Sequence, residues 1–218
     1  MIPLVHDFSG TTVLVFGGGT VGARKSRRFA REASVVVVSP TFADEDFGDV
    51  EFVRAVADPD DVGEWIDRFE PVLVVAATDD PVCNEAIADA ATERSVLVNR
   101  ADRSGDRAFG SVVVPATVRE DPVVVSISTG GHAPALSKYL RTQFEDSLAG
   151  AGEMAELLTT LRKTLEERGV PPERRHQLLS DVVRSKNVWT GLRTGASNET
   201  QVIEDVLSTS VPTEDDSR

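Results

Sequence analysis

Valine-rich apolar runs alternate, through the first half of the chain, with stretches whose apolar residues recur every three or four positions. The runs predict strands over 12–16, 34–38, 51–55, 72–77 and 95–98, and the intervening stretches predict helices over 21–32, 60–68 and 81–93. Continuous runs such as "VVVV" and "VLVVAA" suit strands buried on both faces, and their alternation with helices suits a parallel sheet covered on both sides. The winding then changes. "GSVVVPATV" and "DPVVVSIS" follow one another with only Arg119-Glu120-Asp121 as a polar break, which predicts a strand pair. "APALSKYLRTQFEDSL" predicts a helix just after "STGGH", and from Gly152 onward the chain reads as helices separated by "GVPPE", Gly191 and Gly195. The expected class is α/β, with a Rossmann-like parallel-sheet domain over 1–109 and a separate segment over 110–149. A small helical domain over 150–208 follows, and the polar, acidic residues 209–218 have the composition of a disordered tail.

Composition narrows the partners. The 218 residues suffice for one sizeable core and a smaller second unit. No apolar run reaches the roughly 18 residues of a membrane span, and no charged-then-apolar leader is present, so a soluble, cytoplasmic protein with no membrane partner is expected. Cys83 is the single cysteine and excludes an internal disulfide. With His6, His132 and His176 far apart, no resident metal is expected; a metal would enter as a substrate. The net charge of −13, from 36 acidic against 23 basic residues, disfavours nucleic acid and anionic membranes, whose phosphates it would repel. The only lysines are Lys25, Lys138, Lys163 and Lys186. Such a surface suits concentrated salt, where charges are screened within about 3 Å at 1 M. A salt-adapted, halophilic protein is expected, with an ordinary acidic protein as the plainer alternative.

"VLVFGGGTVGARKSRRF", residues 13–29, carries the first chemistry. Gly17-Gly18-Gly19-Thr20-Val21-Gly22 satisfies the G-x-G-x-x-G spacing between a predicted strand and a predicted helix. Gly17 allows the tight turn, Gly19 lets a pyrophosphate approach the backbone, and Gly22 lets the helix pack against the strand. The helix N-terminus adds N–H groups and a favourable dipole. A glycine-rich turn without a ligand is the plainer reading. Gly22, Ser26, Phe29, Ala30 and Ala33 form an inner helix face, which leaves Arg27 and Arg31 in solvent and lets Arg24 and Lys25 reach a phosphate or an acidic substrate. The acid that usually binds the ribose is missing, because the next strand closes on Ser39, Pro40 and Thr41. No arginine stands close by in the sequence, so NAD is expected rather than NADP.

Common dehydrogenase schemes are excluded by residue type. The only tyrosine, Tyr139, is followed four residues on by Gln143 rather than lysine, and no histidine–carboxylate pair is indicated. Asp102 stands just after a predicted strand, "SVLVNRAD", at the carboxyl edge where open α/β sheets bind ligands. It reads either as a general base or as a loop residue capping a turn. Ser128-Thr129-Gly130-Gly131 before a helix reads as a second anion cradle.

"VLVFGGGTVGARK", "AATDD" at 76–80, "VNRAD" at 98–102 and "SISTGGHAPALSKYLR" at 126–141 together resemble the precorrin-2 dehydrogenase family, the dehydrogenase/ferrochelatase module of siroheme synthases. The resemblance is strong to about the 140s and weak through the helical remainder. It implies NAD-dependent oxidation of precorrin-2 to sirohydrochlorin and, in some members, insertion of ferrous iron as a second substrate to give siroheme. It implies a homodimer built on 110–149, and a cofactor held by phosphate and backbone contacts in place of the missing acid. By the same match Thr20, Val21, Pro40, Thr41 and Thr78 join Gly17, Gly19 and Gly22 at the nucleotide, and Asp102 is the catalytic aspartate. Ser128, Thr129, Gly130, Gly131, His132, Lys138 and Arg141 fall to the tetrapyrrole; Asn99 either orients the substrate or ends the strand, and Arg100, Arg103 and Arg107, each singly a solvated charge, collectively form further anchors for its carboxylates. Thr129 stands where some members have serine, His132-Ala133 stands where a polar pair is often found, and the loop from Arg103 to Gly110 reads a few residues longer than usual. The competing class is a non-catalytic NAD-sensing regulatory domain, which has no need of Asp102 or "STGGHAP".

Overall fold

The computed structural model describes residues 2–103, 110–195 and 199–210. Arg107 and the tail residues 211–218, both named above, lie outside the described residues.

Five short apolar runs form one parallel sheet: β1 (Thr12–Phe16), β2 (Ser34–Ser39), β3 (Val50–Arg54), β4 (Leu73–Ala76) and β5 (Leu97–Arg100). Their order is β3-β2-β1-β4-β5, with α1 (Thr20–Phe29), α2 (Val62–Phe69) and α3 (Pro81–Glu93) in the crossovers. The strand order reverses at β1, which opens a crevice at the carboxyl ends of β1 and β4. Alternate residues feed two cores. Leu14, Phe16, Val36, Val38, Val74 and Ala76 pack with Val62, Ile66, Cys83 and Ile87 on one face. Val13, Val15, Val35, Val37, Leu73 and Val75 pack with Ala23, Phe29 and Phe47 on the other. Every residue of β4 is buried, as a central strand covered on both faces requires.

The last strand sits two residues later than the sequence predicts. Ser95 takes a positive φ of 57° and, with Arg94, closes α3 through bonds back to Ala91 and Thr92. The chain therefore turns until Val96 before extending. Likewise α1 stops at Phe29, where Ala30 donates to the Ser26 carbonyl and the chain turns.

The strand pair exists but is shorter at its start than "GSVVVPATV" suggests. Ser111 only bridges to Val98 in parallel, and β6 (Ala116–Glu120) begins after Pro115, which has no N–H to give a ladder. Arg119 and Glu120, expected in the polar break, are strand residues. Glu120 pairs with Val123 of the antiparallel partner β7 (Val123–Ile127), leaving Asp121 and Pro122 as the turn.

The chain divides into two compact units, Met1–Val114 with Gly130–His132, and Pro115–Thr129 with Ala133–Arg218. The second unit holds the hairpin, α4 (Pro134–Leu148), α5 (Ala151–Glu167), α6 (Pro172–Arg184), α7 (Lys186–Thr194) and α8 (Glu199–Ser210). Thr209 and Ser210, expected in the tail, close α8. Met154, Leu157, Leu161 and Leu165 recur at helical spacing along α5 and meet Leu178, Val182, Val202 and Leu207 in a separate core.

Candidate active site

The glycine loop is shaped by close backbone approaches. Gly17 has a φ of 115°, and a Cβ there would overlap the Ala77 carbonyl; a Cβ on Gly22 would overlap the Gly17 carbonyl. Both positions need glycine for the loop to seat between β1, β4 and α1. Gly19 differs. It has an ordinary extended backbone, and nothing lies within 4 Å of where its Cβ would stand. It is the N-cap of α1, no side chain caps the helix, and the first turn carries no acid. The first N–H groups of a helix have no partner within it, so Thr20, Val21 and Gly22 offer donors at the positive end of the dipole. An open, uncapped helix start of this shape fits a pyrophosphate.

The neighbouring strand ends complete this rim. Thr78, after β4, is tied into its own turn: its hydroxyl donates to Asn84 Oδ1 at 2.9 Å and its N–H to the same oxygen at 3.1 Å. The Asn84 amide returns a bond to the Thr78 carbonyl at 2.9 Å. Asn84, buried at 1% exposure, went unread in the sequence. The only local sign of this turn was the Asp80-Pro81 start of α3, where Asp80 accepts from Val82 N–H. Pro40 and Thr41 are exposed just past β2.

Lys25 does not extend into solvent. Its ammonium donates to Asn99 Oδ1 at 2.8 Å, and Asn99 Nδ2 donates to the Val112 carbonyl at 2.7 Å. Asn99 is 3% exposed, so both ends of its amide join α1, β5 and the strand-like segment after Gly110. Arg31 is exposed as expected, Arg24 is exposed as well, and Arg27 reaches Asp46 at 3.6 Å.

Asp102 lies two residues beyond β5, and Arg100 grips it. Arg100 Nε donates to one carboxylate oxygen at 2.9 Å and Nη2 to the other at 2.7 Å. Arg100 Nη1 donates to Glu85 of α3 at 2.8 Å, and Arg103 meets the same Glu85 oxygen at 2.7 Å. The Arg100 side chain is only 9% exposed and that of Asp102 25%. This fork holds the Asp102 carboxyl below its ordinary range, against the opposing effect of burial, and holds Glu85 low in the same way. It raises Arg100 further still. Glu85 was not predicted; a glutamate on an amphipathic helix carries no mark of its partner.

Gly130 and Gly131 both take positive φ, 66° and 89°, as the turn before α4 demands. Thr129 Oγ1 lies 3.0 Å from Ser137 Oγ and accepts from Ala133 N–H at 3.3 Å, so this hydroxyl braces the start of α4. His132 and Lys138 are exposed, and Arg141 meets Glu145 at 3.4 Å. Ser128 and Thr129 belong to the second unit and Gly130–His132 to the first. Among the described residues no cluster of three or more His, Cys, Asp or Glu side chains could hold a metal. No described helix is long and apolar enough to cross a membrane.

Comparison with known proteins identifies the family. An NAD(P)-binding family matches residues 4–116. A precorrin-2 dehydrogenase of Methanosarcina barkeri is 34% identical over 200 residues, covering 87% of this chain and 86% of the relative. A siroheme synthase of Pseudomonas putida is 33% identical over 210 residues, but this chain spans only 41% of its length. The solved structure of SirC, a precorrin-2 dehydrogenase, superposes with a TM-score of 0.70 at 22% identity, covering 95% of this chain and all of the other, and so shares the fold.

Proposed function

The chain belongs to the precorrin-2 dehydrogenase family, and we propose that it oxidises precorrin-2 to sirohydrochlorin with NAD in siroheme biosynthesis. One observation carries the proposal: an open, uncapped helix start and a fixed carboxylate stand at the same edge of one sheet. The N–H groups of Thr20, Val21 and Gly22 would hold the pyrophosphate, with Gly17 and Gly19 leaving room for it. Pro40, Thr41 and Thr78 border the rest of the cofactor. When bound, NAD supplies the hydride acceptor.

Oxidation removes a hydride and a proton from the macrocycle, and Asp102 takes the proton as general base. With both oxygens held by Arg100 it is a weak base but a fixed one, and the lone pairs that the fork leaves free take the proton. Ser128, Thr129, Gly130, Gly131, His132, Lys138 and Arg141 are assigned to the substrate's carboxylates. Asn99 acts from below, holding Lys25 and the Val112 backbone in register. The decisive experiment is the absorption spectrum of precorrin-2 with the protein, with and without NAD. Sirohydrochlorin should form only with NAD and in step with NADH; an unchanged spectrum overturns the reading. Ferrous or cobaltous ion added afterwards decides whether the chain also inserts metal, which in this reading makes iron a second substrate.

The reading carries a cytoplasmic location, which a single buried thiol suits. It also carries a homodimer built on 110–149. The described part of α4 buries no residue, and it exposes Leu136 at 48%, Tyr139 at 60% and Phe144 at 41%, with Val124 of β7 at 40%. A second copy would cover that apolar face. The charge of −13 supports a salt-adapted assembly. Light scattering should give a dimer in about 2 M KCl and a shift toward monomer in about 0.1 M, as the screening length grows from under 3 Å to about 10 Å. A fully active monomer in high salt would rule the dimer out, and a dimer equally stable in both would rule out the salt adaptation.

A further inference from the structure

The end of β2 holds a cation that sequence distance hides. Parallel pairing of β2 with β3 sets Ser39 opposite Arg54. Arg54 Nη1 donates to the Pro40 carbonyl at 3.0 Å, and the guanidinium carbon lies 5.4 Å from the centre of the Phe42 ring. Phe42 is itself held edge-on by Phe52 at 4.8 Å and Phe47 at 6.1 Å. The segment is locked to the glycine loop, since Ala43 N–H donates to the Gly18 carbonyl at 2.8 Å. The expectation that no arginine stands near Ser39, Pro40 and Thr41 is therefore corrected by the register.

In a dinucleotide fold this strand end faces the adenosine ribose, where a carboxylate selects the 2′-hydroxyl and an arginine accommodates a 2′-phosphate. Here the carboxylate is absent and an arginine is present, stacked on a ring with its remaining N–H groups unspent among the described residues. Asp46, farther along the same segment, meets Arg27 and accepts from Gly48 N–H. Resting on the NAD-binding reading above, we infer that Arg54, with the Ser39 and Thr41 region, forms a 2′-phosphate subsite, so that the protein binds NADP as well as NAD. The overall negative charge does not forbid this, because molar salt screens it within about 3 Å and leaves the local contact to decide.

Calorimetric titration of the full chain with NAD, NADP, ADP and 2′,5′-ADP tests the subsite without any turnover. NADP should bind within about tenfold of NAD, and 2′,5′-ADP more tightly than ADP. Arg54→Gln keeps a donor for the Pro40 carbonyl and should weaken NADP by about 10- to 100-fold, the worth of a charge-assisted bond, with NAD nearly unchanged. Arg54→Lys, which keeps the charge and loses the fork, should fall between. Two results overturn the subsite and leave the NAD reading standing: NADP more than about 100-fold weaker than NAD in the parent, or Arg54→Gln weakening both cofactors alike. If neither dinucleotide binds, both readings fall together.

Discussion

Gly19→Asp should abolish NAD binding while leaving the protein at least as stable as its parent. Gly19 is the N-cap of α1 with an extended backbone and open space where a Cβ would stand. Aspartate is among the best N-cap residues, and replacing glycine with it is worth a few tenths of a kcal/mol in stability or more. The new carboxylate would accept from the N–H groups that a pyrophosphate needs and would place like charge against it. Losing charge-assisted bonds of about 1.5–3 kcal/mol each lowers affinity by roughly two orders of magnitude or more. Gly19→Ser caps without a charge and should give an intermediate loss. The comparison uses melting temperature and NAD titration on the same samples. A variant with unchanged melting and unchanged NAD affinity shows that the open helix start is not the phosphate cradle. Gly17→Ala and Gly22→Ala offer no such separation, since each would force its Cβ into a carbonyl and disturb the loop itself.

Much of this arrangement is readable along the chain, and the reasons are physical. The strands declare themselves because a central parallel strand must be apolar on both faces, and β1, β2 and β4 are nearly unbroken in that respect. The glycine loop is legible because close approach leaves glycine as the only residue that fits at Gly17 and Gly22. What stays hidden is whatever depends on register or on a polar side chain's choice of partner. Arg54 becomes a neighbour of Pro40 only when β3 pairs with β2, and Ser95 ends α3 in a conformation its residue type does not announce. Asn99 could have faced a ligand; instead Lys25 and the Val112 carbonyl use its amide. The same limit applies to Asp102. Its place at the edge of the sheet follows from the strand before it, but the Arg100 fork and the second anchor at Glu85 follow only from the folded chain.

That fork sets what Asp102→Asn should do. Turnover of precorrin-2 should fall by about 10²–10⁴, the usual worth of a positioned general base, with NAD affinity nearly intact. Asparagine keeps the size and one acceptor oxygen but cannot take a proton. It also leaves Arg100 with one charged partner instead of two, so melting at neutral pH should fall, by about 1–3 kcal/mol of stability. The sign of the pH dependence follows from the pairing. Arg100 depresses the Asp102 pKa below the roughly 3.9 of an unfolded chain, so the stability it contributes is present above that pH. It is lost as pH falls through the lower, folded value. The parent should therefore hold its turnover on the acid side until pH drops below the ordinary carboxylate range, and the stability difference between parent and variant should vanish there. A purely structural Asp102 gives another pattern: melting falls, but turnover stays within about threefold of the parent. Arg100→Lys separates the two roles further. It keeps a cation beside Asp102 and loses the bidentate grip, so a base that must be aimed loses turnover with little change in KM, whereas a mere charge partner does not. Supplying sirohydrochlorin and ferrous ion to Asp102→Asn asks the last question. Metal insertion that survives the loss of oxidation would mean that pyrrole protons leave through a different acceptor, and its joint loss would place both reactions on this one carboxylate.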